Sequence, residues 1–194
     1  MNRFIVAEPA KCIGCRTCEI ACALAHGASA APADAGAGYL ATGVAGLTGK
    51  AFEPRLKVIK TLNVSTPVTC RHCEDAPCAN ACPNGAISTR DHTIQVDQSR
   101  CIGCKTCMIA CPFGAMDVVS YPQIREFAGV AIADGVKAAA HKCDLCLGKS
   151  GGPACISVCP TDALHVMTEA SAAETRALRQ LRAALDTPRV EAVA

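Results

Sequence analysis

Residues 70–112 read CRHCEDAPCANACPNGAISTRDHTIQVDQSRCIGCKTCMIACP. Two groups of four cysteines fill this stretch, and each closes on a Cys-Pro step. Cys70, Cys73, Cys78 and Cys82 follow the spacing C-x2-C-x4-C-x3-C-P, and Cys101, Cys104, Cys107 and Cys111 follow C-x2-C-x2-C-x3-C-P. In the second group three thiols stand at three-residue intervals, which suits three corners of an iron–sulfur cube. The fourth cysteine of such a run reaches across to a neighbouring cube. Eighteen residues separate Cys82 from Cys101, room for a short strand, a turn and a return strand. The stretch predicts a compact unit built around two metal clusters.

The pattern recurs on both sides of this unit. Cys12, Cys15, Cys18 and Cys22 are spaced C-x2-C-x2-C-x3-C, and Cys143, Cys146, Cys155 and Cys159 are spaced C-x2-C-x8-C-x3-C-P. The segment CIGCRTCEIAC at 12–22 matches CIGCKTCMIAC at 101–111 in all but two positions, an internal repeat that argues for duplication. One difference matters: Ala23 follows Cys22, whereas Pro83, Pro112 and Pro160 follow the last cysteine of the other three motifs.

Composition separates the chemistries that sixteen cysteines allow. They make up about 8% of the chain, near the level of a cysteine-built scaffold. Disulfides need an oxidising compartment, and free thiols a reducing one. MNRFIVAEPAKCIGC shows no basic segment followed by an apolar one, and no twin-arginine signal. The expectation is therefore a cytoplasmic protein whose thiols are metal ligands. Aromatic residues are 3% of the chain, with no Trp, too few large side chains for an ordinary core. The clusters are expected to serve as core, with folding coupled to their insertion. Net charge is +2, and no basic block interleaved with aromatics points to nucleic acid. The weakly polar run 127–140 is interrupted by Asp134 and Lys137 and is too short to span a bilayer.

Structural zinc is the rival metal, and it makes a non-redox scaffold the rival function. Zinc favours two C-x-x-C knuckles separated by a longer loop. The first and third motifs instead place three cysteines at three-residue intervals, which favours [4Fe–4S] clusters. Four motifs of four leave no cysteine over, so four clusters are expected. Motifs two and three form one unit through their short connector. Motifs one and four lie far apart but are each flanked by a strand candidate, 3–7 and 163–167. Strand, motif, hairpin, motif, strand is the order of a two-cluster ferredoxin, so chain closure pairs motif one with motif four. Cys12, Cys15, Cys18 and Cys159 are then expected on one cube, and Cys143, Cys146, Cys155 and Cys22 on another. Cys70, Cys73, Cys78 and Cys111 are expected on a third, and Cys101, Cys104, Cys107 and Cys82 on the fourth.

The expected fold is α+β, two bacterial-ferredoxin-like two-cluster modules with the second inserted into the first. Residues 1–26 plus 138–168 form one module and 55–120 the inserted one. An Ala/Gly-rich loop or linker occupies 27–54, an irregular connector 121–137 and a helical tail 169–194. Within these, 55–64 reads as one strand, 86–88 and 93–96 as two strands between clusters, and 116–119 as another candidate. In the tail Ser171 and Glu174 form an S-x-x-E capping box, and Leu178, Leu181 and Leu185 share one helical face. That stripe reads either as a dock for a catalytic subunit or as a cover over the protein's own surface, and the second is expected.

The chain resembles the four-cluster electron-transfer subunits of molybdenum enzymes, including the β chains of dimethyl sulfoxide reductase and membrane formate dehydrogenase. Within that group it is most similar to soluble electron-transfer proteins of formate hydrogenlyase systems. The resemblance rests on MNRFIVA, KCIGCRTCE, PRLKVIK, NVSTPVTCRHCEDAPCANACPNGAIS, RCIGCKTCMIACPFGAM and KCDLC…GPAC…CPTDAL, and spans most of residues 1–168. It implies a relay of electrons from the molybdenum or tungsten catalytic subunit of a formate dehydrogenase to a hydrogenase or another acceptor, with no catalysis by the chain itself. A partner of carbon monoxide dehydrogenase or of another molybdenum enzyme is the alternative in the same class.

Other residues carry weaker signals. His72, between Cys70 and Cys73, reads either as a hydrogen-bonding neighbour of a cluster or as a solvated loop side chain. His26, His92, His141 and His165 read as structural or exposed, because thiols fill every cluster position. Arg16 and Lys105 hold equivalent places in the repeats and read as solvated cations. Pro83, Pro112 and Pro160 are expected to turn the chain away from each cube through their fixed φ. No nucleophile–base pair or phosphate loop is present.

Overall fold

The computed structural model describes residues 1–26, 52–127 and 130–186. The Ala/Gly-rich segment 27–51 lies outside them. In chain order the elements are β1 (Phe4–Ala7), α1 (Thr17–His26), β2 (Lys57–Lys60), β3 (Ser65–Val68), α2 (Pro77–Asn80), β4 (Ile87–Arg90), β5 (Thr93–Val96), α3 (Thr106–Ala110), β6 (Asp117–Phe127), β7 (Val130–His141), α4 (Ala154–Ser157), β8 (Leu164–Met167) and α5 (Glu169–Asp186). The strands form four two-stranded antiparallel sheets, β1–β8, β2–β3, β4–β5 and β6–β7.

The pairing of β1 with β8 joins the two sequence-distant strand candidates, with Phe4 opposite Met167 and Ala7 opposite Leu164. Beneath it, α1 packs against α4, and in the middle of the chain α2 packs against α3. The hairpin between motifs two and three turns at Asp91 and His92. Both have positive φ, 50° and 55°, the type I′ geometry whose twist matches paired strands.

Buried side chains fall into two cores. One gathers Ile5, Cys18, Cys22, Leu56, Val58, Cys143, Leu145, Cys155 and Leu164. The other gathers Ala76, Cys78, Ile87, Ile94, Cys107, Met116 and Ala140. Cysteines thus occupy positions that Leu or Phe would fill in an ordinary domain. Leu56 and Val58, expected with the inserted module, pack in the first core. Where the chain crosses between the cores, the Arg3 amide donates to the His92 carbonyl at 2.8 Å and the Asn2 side chain to the Cys73 carbonyl at 3.3 Å.

Four local expectations need correction. Residues 55–64 are not one strand. Thr61 and Val64 close a turn, in which the Thr61 amide and hydroxyl both donate to the Val64 carbonyl, and the chain returns as β3. The expected irregular connector 121–137 is a hairpin, since β6 and β7 pair from Asp117–His141 to Phe127–Val130. Its Ala and Gly residues have weak strand propensity, so only the partner strand reveals it. The tail helix is capped at Thr168 rather than Ser171. The Ser171 amide donates to Thr168 Oγ1 at 3.3 Å while the Thr168 amide donates to Ser171 Oγ at 2.8 Å, a reciprocal capping box three residues earlier. Leu178, Leu181 and Leu185 are 54%, 57% and 75% exposed, so among the described residues the stripe covers nothing.

Candidate metal centres

The cysteine loops of the two repeats share one conformation. Gly14 and Arg16 have φ of 69° and 62°, and Gly103 and Lys105 have 68° and 65°. These left-handed steps curl the backbone so that the three close thiols converge. A Cβ on Gly103 would run into the Ala138 methyl, and one on Gly14 would sit 2.9 Å from Ser65 Oγ. Each loop is therefore pressed against a hairpin, and only glycine fits. Arg16 and Lys105 point into solvent. The Thr17 hydroxyl donates to Cys15 Sγ at 3.3 Å and the Thr106 hydroxyl to Cys104 Sγ at 3.4 Å. These bonds lower the affinity of both exposed thiols for a proton.

At three of the four motif ends the chain makes the expected proline turn. The amides of Gly85, Gly114 and Asp162 donate to the carbonyls of Cys82, Cys111 and Cys159 at 3.2, 3.4 and 3.3 Å. The following residue in two of them, Ala86 or Ala163, donates its amide to the cysteine sulfur at 3.3 Å. Cys22 departs from this pattern. Ala23 continues the helix to His26, and the amide that reaches Cys22 Sγ comes from Arg55 at 3.2 Å.

Each of three hollows is lined by thiols from two motifs. Cys12, Cys15 and Cys18 meet Cys159 around one, Cys70, Cys73 and Cys78 meet Cys111 around the second, and Cys101, Cys104 and Cys107 meet Cys82 around the third. The remaining thiols lie near one another: Cys143, Cys22 and Cys146, and after them Cys18 of the neighbouring set, all act on the thiol of Cys155. All sixteen cysteines are free of disulfides.

The donor set fits iron–sulfur cubes. Every hollow offers four sulfurs, with N–H and O–H groups placed to bond thiolates. Burial pushes the thiols of Cys18 and Cys78 up to about 11, and those of Cys107, Cys143 and Cys155 also upward. Thiols so buried ionise only if a metal cation is supplied.

Charged neighbours of these thiols were not legible in the spacing. His26, read as structural or exposed, is 7% exposed at its side chain and sits 3.6 Å from Cys22 Sγ. Its Nδ1 lies 2.8 Å from the Cys22 carbonyl and its Nε2 3.0 Å from Asp144 Oδ1. Both partners only accept, so both ring nitrogens donate and the ring is a cation. Burial opposes that charge, but Asp144, Cys146 and Cys22 hold the ring's proton affinity up at about 11. Arg55 Nη1 completes the cluster, 2.5 Å from Asp144 Oδ2. Burial works against the Asp144 charge too, yet His26 and Arg55 together hold its carboxyl well below the usual range. His26, Asp144 and Cys146 offer ligand atoms within 4.8 Å of one another. Both nitrogens of His26 are already committed, which argues against a mononuclear metal there.

His72 is 1% exposed, which excludes the solvated reading. Its Nδ1 accepts from the Ile94 amide at 2.9 Å. Lys142, 3% exposed, donates from Nζ to the Ile94 carbonyl and, at 2.8 Å, to the Cys143 carbonyl.

Comparison with known proteins places this geometry. Residues 69–115 and 100–164 each match a 4Fe-4S dicluster domain, and residues 9–27 match a 4Fe-4S binding domain. The electron transport protein HydN of Escherichia coli (strain K12) is 48% identical over 185 residues, covering 95% of this chain and 99% of that protein. The chain belongs to this family of iron–sulfur electron-transport proteins. Two further relatives from the same organism support it. The putative electron transport protein YsaA is 48% identical over 167 residues, 86% of this chain and 90% of its own. Hydrogenase-4 component A is 38% identical over 190 residues, 87% of this chain and 83% of its own. Like the relatives named for electron transport, the chain carries electrons through ferredoxin-type 4Fe-4S domains and is not itself an enzyme. No helix among the described residues is long and apolar enough to cross a membrane.

Proposed function

We propose that the chain is an electron-transfer subunit that holds four [4Fe–4S] clusters in two nested two-cluster modules. In this reading it relays electrons from the catalytic subunit of a molybdenum or tungsten formate dehydrogenase to a hydrogenase or another acceptor. The observation that carries it is the lining of each hollow by three thiols of one motif and the last thiol of another. Cys12, Cys15, Cys18 and Cys159 hold one cube, and Cys70, Cys73, Cys78 and Cys111 the second. Cys101, Cys104, Cys107 and Cys82 hold the third, and Cys143, Cys146, Cys155 and Cys22 the fourth. The pairing of β1 with β8 supports nesting, because it closes the outer module with the two ends of the chain.

When bound, such cubes take up and release single electrons. The chain's own groups set the terms. Backbone amides and the Thr17 and Thr106 hydroxyls donate to sulfur, which favours the added negative charge of reduction. Cys15 and Cys104 are the exposed thiols, and Ile13 and Ile102 beside them are each 61% exposed. Those two loops are where partner subunits approach the outermost cubes. The compartment that goes with this reading is the cytoplasm, whose reducing conditions suit thiols kept as metal ligands.

Anaerobic purification from the native source tests the reading. Expected are about sixteen irons per chain, a brown absorbance bleached by dithionite, and a formate dehydrogenase catalytic subunit among the co-purifying proteins. A colourless zinc protein contradicts the clusters. A carbon monoxide dehydrogenase or a different molybdenum enzyme in its place contradicts the formate assignment alone.

A further inference from the structure

The four-cluster reading leaves one buried charge unexplained. Lys142 precedes Cys143 and is 97% removed from solvent at a 3% exposure. Its ammonium bonds two neutral carbonyl oxygens, those of Ile94 and Cys143. Among the described residues no carboxylate forms an ion pair with it. Asp144, the nearest acid in sequence, is committed to His26 and Arg55. An ammonium held in a protein interior without an anion is strongly disfavoured. Something anionic therefore belongs beside it.

The position of Lys142 says what that anion is. Its side chain lines the hollow of Cys70, Cys73, Cys78 and Cys111. Its Nζ is bonded to the backbone of Cys143, one of the five buried cysteines of the other module. The strand between the two sites is β5. Ile94 gives its amide to His72 of the motif-two loop and its carbonyl to Lys142 of the motif-four loop, while Gln95 Nε2 reaches the Asp144 carbonyl at 3.1 Å. His72 accepts from Ile94, so its ring is neutral at Nδ1 and shares none of the charge.

We propose that Lys142 is the shared counter-ion of two clusters in different modules, the one held by Cys70, Cys73, Cys78 and Cys111 and the one held by Cys143, Cys146, Cys155 and Cys22. Four thiolates outweigh the positive charge of a cube, so each loaded site is an anion, and reduction makes it more so. A buried ammonium between two such sites favours reduction of both. It also ties the modules together, because one buried ammonium faces an anionic site in each of them. The inference rests on the four-cluster reading.

The test uses the holoprotein purified anaerobically, its Lys142→Met and Lys142→Arg variants, iron analysis, and redox titration followed by electron paramagnetic resonance. In Lys142→Met, two of four reduction equilibria become at least about tenfold less favourable, which is about 59 mV for a one-electron couple. The other two stay in place, and Lys142→Arg keeps all four. A Met variant that fails to load iron while the Arg variant loads also supports the role, since Met preserves the shape and removes the charge. Four unmoved equilibria, movement of one alone, or failure of both variants to load overturns it. A wild-type protein without about sixteen irons contradicts the four-cluster reading, whereas a fully loaded one with unmoved equilibria contradicts only the role of Lys142.

Discussion

The two cores solve one problem in different ways. The middle core takes its thiols from a contiguous stretch, Cys70 to Cys111, and its hollows are lined where the α2–α3 pair meets the local hairpin β4–β5. The outer core takes its thiols from both ends, Cys12 to Cys22 and Cys143 to Cys159, and is closed by β1 against β8. Motifs two and three both leave their last cysteine through a proline turn. In the outer core only Cys159 does so, while Cys22 stays on a helix that runs on to His26. The helix carries His26 to Asp144, and Arg55 serves both the Cys22 sulfur and the same carboxylate. A helix in place of the proline turn thus brings the His26–Asp144–Arg55 cluster beside the Cys22 thiol.

Removing the metal has the largest effect on this comparison. Both cores are built on cysteine, so chelation of iron under anaerobic conditions is expected to abolish the cooperative thermal transition of the whole chain, followed by circular dichroism. A retained transition for either half would show that its hairpins suffice without metal.

Next in size is the loss of single cubes. Cys22→Ala and Cys155→Ala should each lower the iron content by one cube, and the double variant by no more than one. Cys22→Ala with Cys15→Ala should lower it by two, to about eight irons. The opposite pattern would assign Cys22 to the cube of its own motif.

Ala23→Pro tests why motif one lacks proline. It removes an interior helix bond and should cost about 3 kcal/mol in thermal stability. Pro83→Ala, which relaxes a turn in the middle core, should cost about 0.4–1 kcal/mol. Equal losses would mean that the helix through Cys22 contributes nothing special.

The smallest effect belongs to the feature the halves share. Thr17→Val and Thr106→Val each remove one hydroxyl bond to an exposed thiol. Each should shift one reduction equilibrium downward by less than about tenfold, and the two shifts should match.

Much of this was legible in the sequence because cysteine spacing is local chemistry. The hairpin between motifs two and three, the strand at 4–7 and the strand at 164–167 follow from short β-branched runs at fixed offsets from thiols. What stayed hidden depends on approach between distant segments. His26 and Asp144 are 118 residues apart, and Arg55 and Asp144 are 89 apart. Neither spacing nor periodicity marks them. Nothing in the sequence marks Lys142 beside Cys143; its place shows only where β5 is laid over it. The long hairpin of β6 and β7 is hidden for another reason: Ala and Gly carry little strand signal, and register with the partner supplies it. Ser171 was identified as a cap through its S-x-x-E pattern, while Thr168 competes for the same role with a reciprocal bond that closes one turn earlier.

The central claim is that each cube takes its fourth ligand from another motif. The most direct measurement is a crystal structure of the anaerobically purified protein with iron located by anomalous scattering. The account predicts four cubes, with Cys22 on the cube of Cys143, Cys146 and Cys155, and Cys159 on that of Cys12, Cys15 and Cys18. Cys22 bound to the cube of Cys12, Cys15 and Cys18 would contradict it.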